Sequence, residues 1–195
     1  YGPGHGNDGD RISVRPIGDL LIERGETLHE VSHLVAESDR GRQQIANLST
    51  GFCSAEKVAL HFIWHALEDA RAENAFLARY PGSEVFLNSR ACSDVRREVD
   101  TQNLHLLVRL AWDIYETGRW GMTPSLNGDI RLAMDAIMPL IERGVVCETP
   151  EKAADIAFEI FHSCSSILNS LKETIVFGMD LDGNLNSQEQ VGMDG

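Results

Sequence analysis

Apolar and polar positions along the chain fall into helical runs separated by glycine- and proline-bearing stops. Arg11 to Pro16 alternates polar and apolar side chains and ends at a proline, the pattern of one short edge strand. From Ile17 to about Ser38, Leu20, Leu21, Leu28, Val31, Leu34 and Val35 recur at helical spacing. Gly25 interrupts that run, so the pattern predicts a short helix and then a second one opening at Glu26 and Thr27. Asp39 to Ser54 is polar, carries Gly41 and Gly51, and reads as a loop with one helical turn.

The strongest helix signal runs from Ser54 to about Arg79. Ser54 stands at its cap, Glu56 and Lys57 lie in its first turn, and Tyr80-Pro81-Gly82 stops it. Two further helices are predicted over Ser93 to Thr117 and Asn127 to Arg143, with Gly118 and Gly144 as their stops. Thr149-Pro150 opens a last helix, which the pattern carries to about Phe177. Residues 1–10 are a glycine-rich flexible lead-in, 11–178 a helical domain, and 179–195 an acidic linker or tail of the kind that leads to another domain.

The net charge of −13 on 195 residues argues against a general nucleic-acid-binding surface and against an anionic membrane surface. No apolar stretch reaches the roughly 18–20 residues needed to span a bilayer. Cys53, Cys92, Cys147 and Cys164 are widely spaced and form no C-x-x-C pair. This usage suits reduced core thiols and a cytoplasmic protein.

The chemistry concentrates in His29-Glu30-Val31-Ser32-His33, an H-E-x-x-H sequence in a helical segment. Residues at i and i+4 share a helix face, so His29 and His33 can present two imidazoles to one zinc ion at about 2.0–2.1 Å. Glu30, about 100° around the helix, is placed to act as general base on water that the metal has acidified. A third ligand has to come from elsewhere. In the 54–79 helix His61, His65 and Glu68 fall on one side, and Glu68 is the expected third ligand, completing a two-His, one-Glu site. Asp69 beside it is expected to orient an imidazole, and His65 is the rival ligand. His61 reads as a packing or surface histidine. Arg71 and Glu73 read as a buried ion pair that holds the ligand helix in register. Tyr80, His105 and Tyr115 are candidate donors to the oxyanion of a tetrahedral intermediate.

The H-E-x-x-H motif, the run Ala66-Leu67-Glu68-Asp69-Ala70-Arg71-Ala72-Glu73 and then Tyr80-Pro81-Gly82 together resemble one family. It is the gluzincin-like metallopeptidase domain that precedes von Willebrand factor A modules in cobaltochelatase-like and MoxR-ATPase-associated proteins. The resemblance covers about Leu28 to Gly82. It departs at Ala72, where the family carries Ile or Val, and in lacking the A module itself, so the chain is expected to be the N-terminal piece of a longer protein. It implies a mainly α, single-domain, zincin-like fold of five or so helices with at most a small N-terminal β element. The implied function is zinc-dependent hydrolysis of peptide bonds in a peptide or protein substrate. A von Willebrand A domain and a MoxR-type ATPase are the implied partners, with no role for nucleic acid or membrane. Relatives that have lost the zinc signature suggest the alternative, a non-catalytic metal-binding or interaction module of such an assembly.

Overall fold

The computed structural model describes residues 6–7, 12–13, 18–97, 106–122 and 129–165. Within them lie a two-residue antiparallel ladder and seven α-helices. The ladder pairs β1 (Gly6–Asn7) with β2 (Ile12–Ser13), Gly6 opposite Ser13 and Asn7 opposite Ile12. The helices are α1 (Leu20–Val35), α2 (Ser38–Leu48), α3 (Ser54–Arg79), α4 (Glu84–Arg97), α5 (Leu106–Trp120), α6 (Asp129–Val145) and α7 (Pro150–Ser163). The mainly helical class with a small β element at the N-terminus is therefore what the molecule has. The predicted extension of α7 toward Phe177, the acidic tail 179–195 and His105 lie outside the described residues.

Helix α3 is the axis. It packs against α1, α5, α6 and α7. Leu60, Ile63, Leu67 and Ala70 of α3 are fully buried there, with Leu107 and Ile114 of α5, Ile137 and Ile141 of α6, and Ala157 and Ile160 of α7. The Glu56 carboxylate starts α3 by accepting from the Cys53 N–H at 3.0 Å, so the cap is Cys53 and Ser54 is the first helical residue. The four cysteines are unpaired, but Cys53 and Cys92 are exposed and only Cys164 is fully buried, so not all are core thiols.

Three sequence expectations change. The predicted loop between residues 39 and 54 is mostly the helix α2, whose Ile45 is buried while its exposed face is polar. Helical structure also begins at Glu84, ahead of the predicted Ser93, because Leu87 and Ala91 bury against neighbouring helices while the rest of α4 is polar enough to resemble a connection. Finally, glycines read as helix stops lie inside helices. A Cβ on Gly25 would collide with the Phe86 carbonyl oxygen and stand 2.7 Å from Arg90 Cβ, so α1 runs through that position and glycine lets α4 approach. A Cβ on Gly118 would stand 2.7 Å from Val145 Cγ1 and 3.0 Å from Ala70 Cβ, the α5 crossing of α6 and α3. No helix among the described residues is long and apolar enough to cross a membrane.

Candidate metal centre

Asp19 opens α1 by accepting from the N–H groups of Leu21 and Ile22. The helix then carries His29 and His33 on one stripe, with His29 almost wholly buried and His33 partly so. Their Nε2 atoms are 3.3 Å apart. Asp69 of α3 approaches from across the interface, its Oδ1 3.2 Å from His33 Nε2. One donor atom each from His29, His33 and Asp69 lies within 4.8 Å of the others. Metal–donor bonds of about 2.0–2.1 Å at tetrahedral angles separate neighbouring donors by about 3.3 Å, so the two short edges fit a zinc-sized ion.

Each imidazole is held from behind. His29 Nδ1 lies 2.9 Å from Glu73 Oε1, and because a carboxylate only accepts, Nδ1 carries the hydrogen and Nε2 faces the centre with its lone pair. His33 Nδ1 lies 3.0 Å from Ser38 Oγ, and Ser38 donates its hydroxyl hydrogen to Glu68 Oε1 at 2.5 Å. Ser38 Oγ therefore accepts from His33 Nδ1. Arg71 closes that relay with Nε and Nη2 on the two Glu68 oxygens at 2.7 and 2.6 Å, and a further bond to the Ala36 carbonyl at 2.9 Å.

The two adjacent acids thus hold each other's expected positions. Glu68, the expected ligand, is committed to Arg71 and Ser38. Asp69, the expected orienting group, converges with the imidazoles. Successive residues point about 100° apart on a helix, so only one of the pair can face α1's histidine stripe. Arg71 three residues after Glu68 is the signal that favours Glu68 as its ion-pair partner. The anticipated Arg71–Glu73 pair is replaced by Arg71–Glu68, and Glu73 turns to His29 instead. His65, the rival ligand, places Nδ1 3.0 Å from Asp69 Oδ1 and stays partly exposed. His61 packs on Trp64 and His65.

Glu30 is 94 % removed from solvent and close enough that its charge acts on His33. Of the candidate oxyanion donors, Tyr80 sits exposed at the end of α3 with its ring on Phe76. Tyr115 is buried and donates to Glu73 Oε2 at 3.0 Å, which makes it part of the His29 support. Ser38, Arg90 and Arg119 also belong to the centre and carried no sequence signal. They come from helices other than the two that supply the motif, and one of those, α2, reads as a loop.

Burial, aided by the nearby Arg90 charge, lowers the His29 pKa and keeps it neutral, as a ligand must be. Burial would also lower His33, but the Asp69 hydrogen bond and the charges of Asp69, Glu30 and Glu68 outweigh it and raise its pKa. Asp69 is held well below the usual carboxylate range: His65, His29 and His33 together overcome the opposing effect of its burial. With both Nδ1 atoms donating outward, two Nε2 atoms and a carboxylate lie close together, a group that could hold a metal ion.

No protein-family model, curated protein or solved structure matched the chain.

Proposed function

We propose that the chain is a zinc-dependent metallopeptidase in which His29, His33 and Asp69 hold the metal and Glu30 is the general base. The observation that carries the reading is the convergence of the two Nε2 atoms and Asp69, with His29 backed by the Glu73 carboxylate and His33 by the Ser38 hydroxyl, itself bonded to Glu68. Nitrogen and carboxylate donors in this number suit zinc with one position left open. Bound there, zinc would lower the pKa of water at its open position to about 7 and polarise a carbonyl.

The chain's own residues supply the remainder. Glu30, next to the first ligand in a largely dry site, takes the proton from the attacking water and passes it to the leaving amine. Glu73 and Ser38 keep the imidazoles oriented, and the low exposure of the cluster strengthens each of these electrostatic contacts. The substrate is then a peptide or protein, with a cytoplasmic von Willebrand A and MoxR-ATPase assembly as the setting that the resemblance implies.

The same burial favours a second reading. Side-chain exposures of 12 % for His33 and 10 % for Asp69 leave a narrow approach to the metal. A metal-holding interaction module of that assembly accounts for such a closed site without any substrate. Elemental analysis of the purified chain tests the centre: about one zinc per chain is expected, lost in His29→Ala and Asp69→Ala. Glu30→Gln then separates the readings. It should keep its zinc and lose cleavage of a quenched peptide library that the wild type cleaves. Zinc without cleavage by the wild type would leave the interaction module standing.

A further inference from the structure

We infer that Glu73 is the positioning residue of the centre: it fixes His29 in one tautomer before any metal arrives. Its consequence for metal affinity rests on the metal reading above, whereas the tautomer does not.

Glu73 is wholly buried and accepts four hydrogen bonds, two on each oxygen. Oε1 takes His29 Nδ1 at 2.9 Å and Arg90 Nη1 at 3.2 Å. Oε2 takes Tyr115 Oη at 3.0 Å and Arg119 Nε at 2.9 Å. A carboxylate offers about four acceptor positions, so this one is saturated. Two guanidinium groups, which do not lose their protons, keep it ionised and unable to donate. His29 Nδ1 must therefore be the donor, and its Nε2 must be bare. Reversing the ring would leave an acceptor unpaired in a site that water does not reach.

His33 meets a different partner. The Ser38 hydroxyl gives its hydrogen to Glu68 Oε1, so it accepts from His33 Nδ1, and this support is one bond to a hydroxyl rather than to a carboxylate. Its Nε2 is shared between His29 at 3.3 Å and Asp69 at 3.2 Å. The donors that saturate Glu73 come from α4 and α5, which carry none of the three proposed ligands, so Glu73 links the docking of those helices to the orientation of His29.

The test is long-range proton–nitrogen NMR of chelator-treated protein labelled with ¹⁵N-histidine, the His29 signals being those absent from His29→Asn. A single Nδ1–H tautomer is expected for His29 in the wild type. An Nε2–H tautomer, or a mixture, in the folded wild type overturns the inference without any variant. Glu73→Gln, checked for folding by circular dichroism, should mix the His29 tautomers and weaken zinc binding ten- to a hundredfold. Folded Glu73→Gln with the wild-type tautomer or wild-type zinc affinity also overturns it. Should Glu73→Gln not fold, the wild-type spectrum decides alone. A chain that shows the tautomer but takes up no zinc removes the metal reading and leaves the His29 assignment intact.

Discussion

Two sets of side chains on α3 are equally dry and chemically opposite. Leu60, Ile63 and Leu67 are each 0 % exposed in the apolar core, while Glu68, Asp69, Arg71 and Glu73 are between 0 and 7 % exposed in the charged cluster. Burying an aliphatic side chain stabilises the fold by about 1.5–3 kcal/mol, whereas burying a charge costs free energy unless it is paired and hydrogen-bonded. The apolar set therefore carries stability. The charged set spends stability on geometry: its ion pairs are hydrogen-bonded, but pairs of this kind seldom outperform apolar packing of the same volume. A site held this way should respond to ligand and to support, and the core should respond to volume.

The largest expected effect tests that division directly. Leu67→Ala opens a cavity beside Gly144 and should cost about 2–5 kcal/mol in chemical denaturation, with zinc stoichiometry unchanged. Loss of zinc in that variant would merge the two sets. Next in size, zinc at a hundredfold excess over its dissociation constant should add about 2.7 kcal/mol to the wild type and nothing to Asp69→Ala; thermal melts with and without chelator measure it.

A smaller effect is expected from the charged group outside the centre. Asp113 on α5 has 3 % side-chain exposure, with one carboxylate oxygen unpartnered and Arg109 3.5 Å from the other; burial pushes its pKa up to about 6. Because the folded value lies above the ordinary 3.8, the contribution of Asp113 is fully present below about pH 4 and is lost as the pH rises through about 6. The full shift would be worth about 3 kcal/mol, which solvent screening reduces to about 1–2. Asp113→Asn should raise stability by that amount at pH 8 and by nothing at pH 4, read from urea curves at the two values. The smallest effect belongs to Arg143 and Glu159, 3.5 Å apart on exposed faces of α6 and α7. Glu159→Gln should give a denaturation curve that overlays the wild type.

The helical class, the length of α3 and the pairing of His29 with His33 were legible because each rests on one repeating distance along the chain. Choosing between Glu68 and Asp69 depended on a rotation of α3 against α1, which periodicity does not contain, although Arg71 hinted at it. Arg90 and Arg119 were illegible for a stronger reason. Their role depends on where α4 and α5 dock, and nothing local distinguishes a guanidinium that will be buried on Glu73 from one facing water. Gly25 and Gly118 misled for the converse reason: a residue that costs a lone helix stability is what a tight crossing of two helices requires.

Gly25 stands four residues before His29 and eight before His33, on the same stripe of α1. Where the stripe meets α4 it has no side chain, and that contact brings Arg90 within 3.2 Å of Glu73. The motif thus extends one turn upstream, to G-x-x-x-H-E-x-x-H. As a search pattern combined with E-D-x-R-x-E downstream, it would pick out chains able to build this supported centre and pass over those whose H-E-x-x-H is an accident of composition.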